Sequence, residues 1–354
     1  MSPTLRIAVV GAGLIGRQHA RRVMNHPRME LACVVDPYLD PEEAAFGPDT
    51  VVTADLEEAL DEVDGVIFAT PNALHRDGAL AAITAGVPAL VEEPIADTIK
   101  AAEQIVTAAE ATDVPVLIGH HRRHSPLLAA AAQAIASGAI GEPVAVMGSA
   151  LFHKPDDYFD SAPWRRQTGG GPILINLIHD MDDLRTLRGE IVRVQATTSN
   201  PTRGFQVEDT ATITFTFANG ALGTFIVSDT AASARSWGQT SRENPSYAAA
   251  PDENCYHIAG TRGSLSIPTL RLRTYQGKAS WWEPFTTTTL ETHRDDPLQL
   301  QLEHFDQVIW ERVTPLVTAR DSLQSLRVIH AVFEAARTGL LVEVPLDLTA
   351  DHHV

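Results

Sequence analysis

The sequence predicts an α/β protein: a doubly wound parallel sheet first, then a separate α+β domain with a mostly antiparallel open sheet. Three observations carry this. Short, wholly apolar runs alternate with helical stretches over the first 122 residues; a glycine-rich turn joins the first such pair; and strand-like alternation dominates after residue 143.

The first run, RIAVV (Arg6–Val10), is rich in β-branched residues and reads as a buried parallel strand. It leads into Gly11-Ala12-Gly13-Leu14-Ile15-Gly16, followed by a helical stretch to about Asn25. A second strand, ELACVV, ends at Asp36. A Gly-x-Gly-x-x-Gly turn by itself is weak evidence. Here it follows a strand, opens a helix and has an acid about 20 residues on, which is the dinucleotide-binding pattern. Gly11 allows the tight turn, Gly13 lets a pyrophosphate approach the backbone, and Gly16 lets helix and strand pack. The helix start offers free N–H groups to the phosphates. Asp36 would bond ribose hydroxyls and repel a 2′-phosphate. No Arg or Lys follows it in DPYLDPEE, so the expected cofactor is NAD rather than NADP.

The alternation continues. Strands are expected at 65–70, 88–93 and 114–120, and helices at His75–Ala85 and Asp97–Ala111. Ligands of such sheets bind at the carboxyl ends of the strands. Those ends carry Thr70-Pro71-Asn72 with His75, Glu92-Glu93-Pro94, and His120-His121-Arg122-Arg123-His124. The last run superficially suggests a metal, but adjacent guanidiniums repel a dication, and no metal is expected.

The second domain is read as residues 123–354. An alanine-rich helix follows Pro126, strands alternate from Pro143 onward, and Asn219-Gly220 marks a hairpin. Ser233–Asp252 reads as a long polar loop whose Trp237 and Tyr247 either cover a substrate or anchor the loop. Terminal helices at about 298–313 and 320–338 are expected to pack back on the first domain. Asp351-His352-His353 reads as a tail.

Composition sets the outer bounds. The chain has 354 residues, enough for two domains. Its 27 basic and 45 acidic side chains give a net charge of −18, which repels nucleic acid. No apolar run is long enough to span a bilayer. Met1–Arg6 leads straight into a strand pattern without signal-peptide features. Two distant cysteines, Cys33 and Cys255, suggest neither a zinc site nor a disulfide framework, and a cytoplasmic setting is expected.

This order of motifs resembles the glucose-fructose oxidoreductase/inositol dehydrogenase (Gfo/Idh/MocA) family over essentially the whole chain. The matching residues are GAGLIG (11–16), ATPNALH (69–75), EEP (92–94), GHHRR (119–123), the GGG…H..D run (169–182) and EDTATITFTFANGALG (208–223). The resemblance implies an NAD(P)-dependent dehydrogenase of sugars, cyclitols or related polyols that assembles as a homodimer or homotetramer through its open sheet. It places His121 and Arg123 near the nicotinamide and the domain junction.

Two residues depart from the family pattern. The lysine of the family's Glu-Lys-Pro motif is Glu93 here, and the aspartate four residues before the family histidine is Ile175. A carboxylate cannot stabilise a developing alkoxide, so the chemistry is either relocated or absent. Lys154, one of only three lysines, is the candidate for relocation. It heads a polar cluster of His153, Asp156, Asp157, Tyr158, Trp164, Arg165 and Arg166; the plain alternative is a solvated loop lysine. His179 is the candidate base, with Asn176 three residues earlier orienting a hydroxyl, whereas Asp180 is expected on another face, solvated or capping. Tyr158, Trp164, Arg165 and Arg123 are the substrate candidates. The leading reading is an NAD-dependent dehydrogenase acting on a secondary hydroxyl of a polar ring. One alternative is a lyase or glycoside-cleaving enzyme that oxidises transiently, with Glu93 as acid or base. Another is a non-catalytic NAD-binding sensor.

Overall fold

In chain order the first elements are β1 (Leu5–Val10), α1 (Leu14–Asn25), β2 (Met29–Val35), β3 (Val51–Thr53), α2 (Leu56–Leu60), β4 (Gly65–Phe68), α3 (His75–Ala85), β5 (Ala89–Val91), α4 (Ile99–Glu110) and β6 (Val116–Ile118). The structure is a computed structural model, and it describes residues 4–40 and 46–346. The strands form one parallel sheet in the order β3-β2-β1-β4-β5-β6. β1 lies inside it with a parallel neighbour on each side, so every position except Arg6 is buried, and the run is apolar at both faces. The strand order reverses at β1, so the carboxyl ends of β1 and β4 flank the point where such sheets bind ligands. β3, only three residues long, was not expected from the sequence.

Contacts divide the chain into two units: Met1–His121 with Pro297–Leu326, and Arg122–Asp296 with Arg327–Val354. The helix Pro297–Trp310 buries Leu302, Phe305 and Val308 in the same apolar cluster as the parallel sheet. A side chain at Gly65 would meet Ile309 at 2.6 Å, so this glycine sets how closely that helix approaches the sheet. Of the helix Ala319–Thr338, only the part up to Leu326 belongs to the first unit. The sequence expected both terminal helices to pack back on the first domain; the second does so only in its first part, and a switch from one core to another within a helix leaves no local signature.

The second unit holds a nine-stranded sheet. Its strands are β7 (Pro143–Leu151), β8 (Ile191–Ser199), β9 (Thr210–Phe217), β10 (Leu222–Ser228), β11 (Tyr256–Gly260), β12 (Gly263–Ile267), β13 (Arg271–Thr274), β14 (Thr286–Thr289) and β15 (Val342–Glu343). The order is β14-β13-β12-β11-β7-β10-β9-β8-β15, antiparallel except for the parallel pair β7 and β10. β9 turns into β10 at Asn219-Gly220, where Gly220 takes φ +87°. One face of this hairpin buries Ile213, Phe215, Phe225 and Val227. Helices α5 (Pro126–Ala136), α6 (Asp156–Asp160) and α7 (Ile178–Arg188) accompany it. α5 and α7 add Leu127, Leu128, Ile178, Met181 and Leu184 to the same core.

In the loop after β10, Trp237 is buried and donates through Nε1 to Glu243 at 2.8 Å, with its ring stacked 5.8 Å from that of Tyr256. Trp237 therefore anchors the loop, whereas Tyr247 is exposed. Asp351-His352-His353 lies outside the described residues.

Candidate active site

In the first unit, the end of β1 is shaped by its glycines. Gly11 has φ +96°, and a Cβ there would lie 2.7 Å from the carbonyl oxygen of Ala69; one at Gly16 would lie 1.8 Å from that of Gly11. Both positions are closed to any side chain. Gly13 differs, because a Cβ there would meet nothing within 4 Å. Its backbone is open to an approaching group. α1 begins after Gly13 with no side-chain cap and no acid in its first turn, so its leading N–H groups stay available to an anion. Leu14 is exposed and Ile15 half-buried.

Asp36 follows β2. Its Oδ2 accepts from the Ala12 amide at 2.8 Å and its Oδ1 from the Tyr38 amide at 2.9 Å. A carboxylate has about four acceptor sites, so capacity for ribose hydroxyls remains. Of the stretch after Asp36, residues 41–43 lie outside the described residues. After β4, the Thr70 hydroxyl oxygen is buried with no hydrogen-bond partner, a group that a ligand would satisfy. Pro71 is exposed, and Asn72 opens a short 3₁₀ turn. An open glycine backbone, an uncapped helix, a ribose-side acid and an orphaned hydroxyl together fit NAD.

His75 and Glu92 act behind this surface. His75 is buried, its ring nitrogens 2.9 Å from the carbonyl oxygens of Pro94 and Thr70. Burial lowers its pKa, so the neutral ring donates to one of them and ties the two loops together. Glu92 is buried against His19 at 2.5 Å. Burial pushes this carboxyl up, but the hydrogen bond and charge of His19 outweigh it, with His121 adding to the effect, and hold it below its usual value. Both residues were expected at the cofactor, and each is spent on a protein partner. Glu93 is half-buried and joined to Pro94 by a cis peptide bond.

The second unit collects the other candidates around Lys154, just beyond β7. This lysine is 9% exposed. Its Nζ donates to Oδ1 of Asn176 at 2.8 Å and lies 3.9 Å from Asp229. It also sits 4.8 Å from the centre of the Tyr158 ring. Burial pulls its pKa down to about 8; Asp229 opposes the change, and Arg165 and Arg203 add to it. The solvated-loop alternative is therefore wrong for Lys154.

Its surroundings are built for position. β7 and β10 run parallel with Leu151 beside Ser228, which brings the residues after both strands together. The Lys154 amide donates to the Asp229 carbonyl at 2.8 Å. Arg203 then clamps both, donating from Nε to Oδ1 of Asp229 at 2.8 Å and from Nη2 to the Lys154 carbonyl at 2.8 Å. Asp229, Arg203 and Glu208 were not singled out from sequence. A parallel pairing between distant strands is the signal that would have found them, and it cannot be read locally.

Asn176 lies in a π-helical turn, Ile173–Leu177, that precedes α7. Such turns reset which side chains share a face and recur at functional sites. The glycine run explains itself here. A Cβ on Gly170 would lie 2.5 Å from the Arg165 backbone, and one on Gly171 would lie 2.3 Å from the Glu208 carboxylate. Glu208 accepts the Ile173 amide at 2.9 Å and so starts the π turn. Ile175, at the family's aspartate position, is half-buried.

His179 is half-buried at the second position of α7. Its neighbour Asp180 corrects the expectation of a solvated acid: it is 1% exposed and accepts from the Tyr256 hydroxyl at 2.5 Å and from Arg122 at 3.1 Å. Asp183 shares the same two partners, at 2.8 and 3.1 Å. One guanidinium cannot neutralise two buried carboxylates, which needs a proton or costs stability. Arg123 pairs with Asp182 at 3.5 Å. Tyr158 and Arg165 stack, with Cζ 3.8 Å from the ring centre, and Trp164 stays exposed. Among the described residues no group of three or more His, Cys, Asp or Glu side chains could hold a metal ion, and no helix is long and apolar enough to cross a membrane.

Comparison with known proteins places this geometry. Residues 5–120 match the model of an oxidoreductase family with an NAD-binding Rossmann fold, and residues 128–266 match the GFO/IDH/MocA C-terminal domain. The rhizopine catabolism protein MocA of Rhizobium meliloti is 29% identical over 346 residues, covering 93% of this chain and 94% of its own. The scyllo-inositol 2-dehydrogenase (NAD(+)) of Bacillus subtilis is 28% identical over 358 residues, covering 97% of each chain. Among solved structures, the WlbA dehydrogenase of Bordetella pertussis in complex with NADH and UDP-GlcNAcA superposes with a TM-score of 0.75 at 24% identity. The superposition covers 97% of this chain and all of that one, a likeness of fold. The chain belongs to the Gfo/Idh/MocA family of NAD-binding oxidoreductases.

Proposed function

We propose that this protein is an NAD-dependent dehydrogenase that oxidises a secondary hydroxyl of a sugar, cyclitol or similar polar ring, with Lys154 as the base. Residues 1–122 bind the cofactor and residues 123–354 supply the groups that meet substrate. When bound, NAD supplies the hydride acceptor; the chain's own residues must manage the proton.

Lys154 suits that task. With its pKa near 8, a sizeable fraction of the amine is neutral close to physiological pH. A neutral amine has two hydrogens and one lone pair. Donation to Asn176 Oδ1 fixes one hydrogen, and the lone pair is then held to accept the substrate's hydroxyl proton. Asp229 and Arg203 position the lysine, and Tyr158 covers it. His179 orients the hydroxyl. Glu93 takes no part in proton transfer. Substrate contacts come from Tyr158, Trp164, Arg165 and Arg123. Pro71, Asn72, Glu93, Pro94 and His121 border the cofactor.

The buried, depressed Lys154 amine hydrogen-bonded to Asn176 carries this reading, since a sensor without catalysis has no use for it. NADH formation by the wild-type protein and by Lys154→Met tests it. We read the protein as a cytoplasmic homodimer or homotetramer; the exposed apolar side chains Met147, Leu222 and Ile226 on the sheet of the second unit support the self-association.

A further inference from the structure

The cations around Lys154 are not all neutralised. Arg203 is bound to Asp229 at 2.8 Å, and Arg166 is paired with Asp160. Arg165 differs. Its Nη1 donates to the Tyr158 carbonyl at 2.5 Å and reaches the Ser161 hydroxyl at 3.4 Å. Its Nε is buried with no hydrogen-bond partner, and Nη2 makes no hydrogen bond among the described residues. No carboxylate among the described residues lies within ion-pair reach of it.

A guanidinium left this way needs an explanation, because an unmet donor beside an unneutralised charge is costly. The side chain is also held in place. The plane stacks on Tyr158 at 3.8 Å, and Gly170 lets the loop backbone close against Arg165, where a Cβ would stand 2.5 Å away. The edge left without partners, Nε with Nη2, is the fork that takes the two oxygens of a carboxylate. The same Tyr158 ring carries Lys154 at 4.8 Å, and the Arg165 charge is close enough to help lower the Lys154 pKa, so the base and the unneutralised guanidinium are neighbours in this unit.

We infer that the substrate of this site is a sugar acid, and that Arg165 selects it by holding its carboxylate while Lys154 meets the hydroxyl to be oxidised. The inference rests on the dehydrogenase reading above and narrows its substrate class. A neutral polyol would leave the Nε–Nη2 edge unmet, whereas a carboxylate fills it and neutralises the local charge. Bidentate bonding of this kind corresponds to about a tenfold to hundredfold preference.

The test uses matched probes with the purified full-length protein and NAD: D-glucose against D-glucuronate and D-gluconate, and D-galactose against D-galacturonate. NADH formation gives the acid-to-neutral ratio of kcat/KM for wild type, Arg165→Gln and Arg165→Lys. Expected is a wild-type ratio of at least about 10 in the best pair. That ratio should collapse in Arg165→Gln through a rise in KM for the acid and be partly restored in Arg165→Lys. NAD affinity checks that each variant is folded. Equal or better use of the neutral member throughout, an unchanged ratio in Arg165→Gln, or preference for glucose 6-phosphate over glucuronate overturns the inference. If no compound yields NADH, the dehydrogenase reading fails by itself. Calorimetry with NAD present then decides the acid-binding claim: Arg165-dependent binding of a sugar acid sustains it, and absence of such binding overturns it.

Discussion

The amine of Lys154 donates to Oδ1 of Asn176 across 2.8 Å, joining the end of β7 to a π-helical turn 22 residues further along the chain. In the proposed function this bond holds the base at a place other than the family's lysine position, where the chain has Glu93. Lys154→Met is expected to lower kcat by about 10²- to 10⁴-fold, the usual contribution of a general base, with NAD affinity unchanged. Lys154→Arg should not rescue it, because a guanidinium does not deprotonate near neutrality. Steady-state kinetics and NAD titration of the two variants check this, and an active arginine variant would rule Lys154 out as the base.

The lysine also dictates a pH profile. The base must be neutral, and burial holds its pKa at about 8, so kcat/KM for oxidation should rise with pH through about 8 and level off above it. Asp229 raises the lysine's pKa, so Asp229→Asn should move the rising limb to lower pH. A purely structural role for Asp229 would lower the rate without moving the limb. Rate profiles from pH 6 to 10 separate the two.

Cofactor choice is assigned to Asp36. In Asp36→Asn one oxygen can still accept from the Ala12 amide, the acceptor for the Tyr38 amide is lost, and so is the charge facing a 2′-phosphate. The NADP-to-NAD ratio of kcat/KM is expected to rise about tenfold or more, on the scale of one charged contact. An unchanged ratio would place the discrimination elsewhere.

Stability should depend on Asp183. Burial raises its carboxyl to about 7, with Asp180 adding to the effect and Arg122 opposing it. The folded state therefore holds this proton more tightly than the unfolded chain does. Its stabilising contribution is complete below the ordinary carboxylate pKa of roughly 4 and is lost as pH rises through about 7. Asp183→Asn should flatten the fall in Tm between pH 4.5 and 7.5. Thermal melts of both proteins across that window check it, and parallel curves would contradict it.

Much of the first unit was legible because its signals are local. A buried parallel strand is apolar at both faces, and Gly11, Gly16 and Asp36 stand at spacings fixed by one βαβ turn. Strand β3 escaped because three residues carry no periodicity. The return of the terminal helices to the first unit was expected from the sequence, but not that it stops at Leu326 partway along the second helix, because where a helix leaves one core for another is a long-range packing event. In the second unit, Lys154 stood out by its rarity, yet its partners Asp229 and Arg203 come from 75 and 49 residues away. Asp180 was misread as solvated because its acceptors are filled by Arg122 and Tyr256, 58 and 76 residues distant. The orientation of Asn176 depends on a π turn set by Glu208, which no helical periodicity reveals.

The measurement that tests the central claim most directly is absorbance at 340 nm with NAD and a panel of sugars, sugar acids and cyclitols. It compares wild type with Lys154→Met, and product is followed separately. Net NADH from the wild-type protein, lost in Lys154→Met while NAD still binds, is the predicted result. Product without net NADH, or a Lys154→Met protein as active as wild type, would contradict it.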